Sequence, residues 1–148
     1  MKPLRIGSVG AGFVARFQVV AMKQVRGMEL AGVTALKGAP ELAAMAKSLG
    51  AGDTIVYDSV AEMAKHVDCI AIYVPNFARI PIMEEIVAAA KAGAQLKGVI
   101  CEKPLGRTVA EARRLVELAQ SLNLLTASPL RKNGAGELEV GVHGPFPF

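Results

Sequence analysis

Residues 4–16 read LRIGSVGAGFVAR, and this stretch decides the fold. Leu4–Val9 is a short apolar run of strand type, ended by Gly10 and Gly12. Phe13–Gln24 follows as a helix, with Val14, Phe17, Val20 and Ala21 at helical spacing. Gly10-Ala11-Gly12-Phe13-Val14-Ala15 is therefore a GxGxxA turn lodged between a strand and a helix. Each small residue has a physical job there. Gly10 permits a turn that a Cβ would obstruct, Gly12 lets the backbone approach a pyrophosphate, and Ala15 lets the helix lie close on a sheet. Backbone N–H groups at the helix start, near Phe13 and Val14, are placed to bond phosphate oxygens, with the positive end of the helix dipole behind them. A plain tight turn is the competing reading, and the surrounding pattern decides between the two.

Working outward, strand and helix patterns alternate. Met28–Ala35 reads as a second strand, Pro40 to Leu49 as a helix stopped by Gly50, and Thr54–Tyr57 as a third strand. Ser59 with Glu62 has capping-box spacing and opens the next helix. Val67–Val74 is a nearly continuous apolar strand, ended by Pro75-Asn76. A helix is expected from about Pro81 to Ala92, with Met83, Ile86, Val87 and Ala90 on one face. Lys97–Cys101 is the fifth strand, Thr108 and Glu111 form a second capping box before a helix to about Leu122, and Leu124–Ala127 is the sixth strand. Helical crossovers between strands demand parallel pairing. The expectation is an α/β fold: a doubly wound, mainly parallel, six-strand Rossmann sheet over residues 1–127. Ser128–Phe148 is rich in Gly and Pro and reads as an irregular C-terminal tail. The alternation of Leu138, Val140 and Val142 leaves a short edge strand as the other reading.

Composition removes several classes of function. At 148 residues, 52% hydrophobic and 20% charged, the chain suits one packed domain. No apolar run approaches the roughly 18–20 residues of a membrane span. The glycine-broken start is too short for a signal peptide, so a soluble cytoplasmic protein without a membrane partner is expected. The net charge of +4 comes with only 5% aromatic residues and no nucleic-acid motif; such a field suits an anionic dinucleotide equally well. Cys69 and Cys101 each sit in a core-strand run with no CxxC, which predicts buried free thiols and no metal site.

The end of the second strand bears on the cofactor. Folds of this kind that prefer NAD place Asp or Glu there, where the carboxylate holds the ribose hydroxyls. Thr34-Ala35-Leu36-Lys37 contains no acid. A missing carboxylate removes the repulsion against a 2′-phosphate, and Lys37 offers it a positive charge, so NAD or NADP is expected with the balance toward NADP. An ordinary solvated loop lysine is the other reading of Lys37.

Cys101-Glu102-Lys103-Pro104 lies at the carboxyl end of the fifth strand, the side on which open α/β sheets bind ligands. Gly10-x-Gly12, Pro75-Asn76 and Glu102-Lys103-Pro104, in this order after the first, fourth and fifth strands, resemble the glucose–fructose oxidoreductase / inositol dehydrogenase / MocA family. The stretch GVICEKPLG at 98–106 is especially similar, and the resemblance covers about residues 3–127. It implies an NAD(P)-dependent oxidoreductase acting on sugars, cyclitols and related alcohols. Lys103 would then stand near the nicotinamide as the catalytic residue, with Glu102 and Pro75-Asn76 on the nicotinamide-ribose side.

Two departures from the family stand out. Arg79 occupies the place where many members carry His. Members also continue into a second α/β domain that builds the substrate pocket, whereas after Lys103 this chain has no Asp and only His143. The second domain is thus expected to be absent, as in a truncated, split or frameshifted product. The expected activity is hydride transfer between a nicotinamide and a sugar-like alcohol, weak in this chain unless a second domain is supplied. A non-enzymatic NAD(P)-binding module, regulatory or completed by another chain, is the alternative. An uncovered face would also favour a homo-oligomer.

Overall fold

The computed structural model describes residues 2–122, together with the backbone of residues 125–127, 130–132 and 138–140. β1 (Leu4–Val9) lies in mid-sheet, between β2 (Met28–Thr34) and β4 (Cys69–Ile72). β3 (Ile55–Val56) forms one edge, and β5 (Gly98–Cys101) leads to β6 (Leu125–Ala127) at the other. The sheet has six strands in the order β3-β2-β1-β4-β5-β6, with every neighbouring pair parallel. This is the doubly wound Rossmann sheet that the alternating pattern predicts.

Helices cover both faces. α1 (Phe13–Met22) and α2 (Ala39–Leu49) share one core with Ile6, Leu30, Val33 and Ala71 of the strands. α3 (Val60–Met63), α4 (Arg79–Lys91) and α5 (Val109–Gln120) pack on the other face against Val9, Ala31, Ile70, Ile72 and Val99. All four residues of β4 are buried, because this strand has helices above and below it. Gly7 and Gly32, register partners on β1 and β2, leave a trough for Met63. A Cβ at Gly7 would stand 2.9 Å from the Met63 sulfur, and one at Gly32 would stand 3.0 Å from Met63 Cγ.

Some details depart from the sequence pattern. On α1 the buried side is Ala15, Val19 and Met22, while Phe17 is 62% and Val20 50% exposed. The close seat of the helix on the sheet requires the small Ala15 inward, and that phase turns the larger Phe17–Val20 side outward. Both predicted N-caps form: Ser59 Oγ accepts from Glu62 N–H at 3.1 Å and Thr108 Oγ1 from Glu111 N–H at 3.2 Å. The return bond of the second box goes one residue further back, with Glu111 Oε2 accepting from Arg107 N–H at 2.7 Å. α4 begins at Arg79, ahead of Pro81, after a 3-10 turn over Asn76–Ala78. Beyond β6, Leu130–Lys132 pairs antiparallel with Leu138–Val140, so the alternation at Leu138 and Val140 does make a strand, in a two-stranded ribbon apart from the main sheet. Val142 lies outside the described residues, as does His143.

Candidate functional site

The carboxyl ends of β1, β2 and β4 meet at the glycine turn. Gly10 adopts φ 107°, a region that disfavours side chains. Its N–H donates to Thr34 O at 2.8 Å, and a Cβ there would stand 2.9 Å from Tyr73 O. The turn is therefore wedged between the ends of β2 and β4. Gly12 differs: its backbone is extended (φ −76°, ψ −165°), and a Cβ would meet nothing within 4 Å. Nothing in the fold itself demands glycine at that position; the open space lies on the outside, where a ligand backbone would approach.

α1 starts without a side-chain cap, and Arg16 N–H donates to Gly12 O at 3.1 Å as the first helical bond. The N–H groups of Phe13, Val14 and Ala15 consequently have no partner within the helix. Ala15 is 1% exposed, pressed on the sheet as the motif requires. Phe13 projects outward at 84% exposure.

A cavity of about 560 Å³ opens beside this turn. Gly10, Thr34, Lys37 and Pro75 line it, so the structure brings four of the expected cofactor residues together. Asp58, Ser59, Tyr73 and Phe77 complete much of the wall. Thr34 is buried and contributes its carbonyl to the turn, whereas Lys37 is exposed at the rim. Gly12, Phe13, Val14, Ala15, Asn76, Glu102 and Lys103 stand outside this wall. Asn76 opens the 3-10 turn, and its carbonyl accepts the Arg79 N–H.

Glu102 and Lys103 occupy the next strand end. The Glu102 carboxylate accepts from Gln18 Nε2 at 3.5 Å and from Lys103 N–H at 3.1 Å, which links the end of β5 to α1. Lys103 itself is exposed, and the peptide bond to Pro104 is cis.

Arg79 is the residue whose role the sequence left unread. It is only 5% exposed. Its guanidinium donates to the carbonyls of Val74 (3.2 Å), Leu105 (3.3 Å), Glu102 and Pro104. One side chain thus ties the end of β4 to the Glu-Lys-Pro turn after β5. An arginine at the first position of a helix gives no pattern signal for this, since three of its four acceptors lie more than 20 residues away. Tyr73 was also missed, because inside an apolar run it reads as core. Burial, aided by the Glu102 charge, pushes its hydroxyl up to about 12. Cys69 and Cys101 are free and buried as expected. Burial raises both thiols, Cys101 to about 11, so neither is a ready nucleophile at neutral pH.

Comparison with known proteins agrees with this geometry. Residues 4–128 match the oxidoreductase family with an NAD-binding Rossmann fold. A 1,5-anhydro-D-fructose reductase of Ensifer adhaerens is 32% identical over 121 residues, covering 82% of this chain and 34% of the reductase. The UDP-N-acetylglucosamine 3-dehydrogenase GnnA of Acidithiobacillus ferrooxidans superposes with a TM-score of 0.68 at 26% identity, over 86% of this chain and 38% of that enzyme. For the myo-inositol 2-dehydrogenase of Lactobacillus plantarum the TM-score is 0.63 at 25% identity, over 84% of this chain and 35% of the other. The chain spans about a third of the length of these relatives. With the glycine turn, the sheet order and residues 4–128 all in agreement, the chain belongs to the glucose–fructose oxidoreductase / inositol dehydrogenase / MocA family, whose NAD-binding Rossmann domain it contains.

Proposed function

We propose that this domain holds NADP in preference to NAD and presents its nicotinamide end to a sugar- or cyclitol-like alcohol. The observation that carries the reading is the uncapped start of α1, with open space at Gly12, beside a cavity at the carboxyl ends of β1, β2 and β4. Phe13, Val14 and Ala15 offer N–H groups to the diphosphate at this helix start. Thr34 and Lys37 border the adenosine side, where the lack of a carboxylate at the end of β2 tolerates a 2′-phosphate. Pro75, Asn76 and Glu102 flank the nicotinamide ribose. The bound nicotinamide supplies or accepts the hydride. Lys103 acts on the substrate side, its charge polarising the reacting oxygen while the hydroxyl proton moves.

The reductase and dehydrogenases named above act on a sugar derivative, a nucleotide sugar and a cyclitol by their names, which supports the same substrate class here. Alone, the chain is expected to bind cofactor and turn over poorly. Among the described residues Lys103 has no hydrogen-bonded acid or base on its side chain, which also favours the second reading of a binding module completed by another chain. The outward Phe13, Phe17 and Val20 support self-association as a homo-oligomer. No helix among the described residues is long and apolar enough to cross a membrane, in keeping with a cytoplasmic enzyme.

The test is a fluorescence titration with NADPH and NADH, repeated on Gly12→Val. The unmutated chain should bind, and the valine, filling the space before the helix start, should weaken both cofactors at least tenfold. Binding of neither cofactor, or equal binding by the variant, overturns the proposal.

A further inference from the structure

We infer that Arg16, together with Lys37, forms the seat of the 2′-phosphate and sets the preference for NADP; this rests on the cofactor reading above. Arg16 lies on the first turn of α1, beyond the GxGxxA motif, and no pattern in the sequence marks it. Its Nε reaches back to Ala11 O at 3.4 Å, which turns the guanidinium toward the loop after β2. There Gly38, at φ 80°, comes close: a Cβ added to it would stand 3.7 Å from Arg16 Nη2 and 3.6 Å from Ala11 O. The glycine turn, α1 and the loop after β2 therefore meet at one point, and a guanidinium sits at it.

Three positive features converge on this point. Arg16 and Lys37 are exposed, and neither takes part in an ion pair among the described residues. The start of α2, with Gly38 as its N-cap and no side-chain cap, adds a positive dipole end. Three carboxylates stand in the neighbourhood, among them Glu85 on the cavity wall, whose Oε1 accepts the Ala61 N–H at 3.2 Å and which forms no ion pair with Arg16 or Lys37. Glu41 is in the first turn of α2 and Asp58 is on the cavity wall after β3, but neither is paired with Arg16 or Lys37. A dianionic phosphate ester on the ribose would meet a planar guanidinium able to donate two parallel bonds, with Lys37 as a point charge beside it. A ribose bearing only hydroxyls would gain little from either.

The experiment is isothermal titration of the 148-residue chain with NADPH and NADH, with 2′,5′-ADP as competitor, on the unmutated protein, R16A and R16K. Circular dichroism and the urea midpoint serve as folding controls. The unmutated chain should prefer NADPH at least tenfold. R16A should lower the NADPH-to-NADH affinity ratio at least tenfold and abolish competition by 2′,5′-ADP, and R16K should recover part of the ratio. A ratio unchanged in R16A, an equal loss for both cofactors, or a preference for NADH in the unmutated chain would overturn the role of Arg16. Failure to bind either cofactor would remove the cofactor reading along with it.

Discussion

Replacing Arg79 with methionine removes the buried guanidinium while keeping a side chain of similar length in the same apolar surroundings. The carbonyls of Val74, Glu102, Pro104 and Leu105 would lose their common donor. Hydrogen bonds to a charged group contribute about 1.5–3 kcal/mol each. The cost of desolvating the guanidinium works in the opposite direction and is of the order of several kcal/mol. With the longer contacts to Val74 and Leu105 weakened by distance and one exposed carbonyl rescued by water, a net loss of about 2–4 kcal/mol is expected. For a domain of this size that corresponds to a fall in Tm of about 6–12 °C. Urea unfolding followed by circular dichroism measures the loss directly. Amide exchange should rise over residues 102–106 more than in the strands, because that turn loses its tether. Arg79→Lys should recover less than half, since an ammonium cannot span acceptors on two chain segments. A loss below about 1 kcal/mol, or full recovery by lysine, would refute the idea that this side chain holds the two strand ends together.

Two other predictions concern titratable groups. Burial raises both thiols, so iodoacetamide at pH 8 should leave Cys69 and Cys101 unmodified in the folded chain and alkylate both in urea; rapid labelling of the folded chain would show that the strand ends open readily. Asp68 is held below the usual carboxylate range, first by the Lys97 ammonium at 2.6 Å and then by the Arg5 N–H at 2.9 Å. Its contribution is therefore present above its unfolded pKa and lost as pH falls through the lower folded value. Asp68→Asn should destabilise the chain at pH 7 and flatten the acid limb of the stability profile below about pH 4, where the unfolded carboxylate protonates. Parallel profiles for the two proteins would show that the Asp68 charge is not what joins β1 to Lys97.

The parts of this molecule that were legible in the sequence are those governed by local rules. The glycine turn, the Gly50 stop of α2 and the caps at Ser59 and Thr108 follow from spacing within a few residues, and the parallel pairing follows from the helical crossovers between successive strands. The outward Phe17 was not legible, because periodicity gives a helix an apolar side without saying which of two such sides the sheet takes. Arg79 was hidden for a different reason. Its acceptors are backbone carbonyls, present at every residue, so no residue type announces them. Four of the expected cofactor residues line the cavity because they flank strand ends. Glu102 and Lys103 sit one strand further along, at the end of β5, and so stand outside the cavity beside Gly10.

The placement of β1 in mid-sheet sends the chain toward one border of the molecule before β4 brings it back past the middle and on to the other. The loops leaving β1 and β4 therefore diverge, and the crevice between them belongs to neither half alone. A peptide ending after β3 would own the glycine turn without Tyr73 to brace it, and a peptide beginning at β4 would own the brace without the turn. Separately expressed halves should each fail to capture a nucleotide and regain that ability only on reassembly.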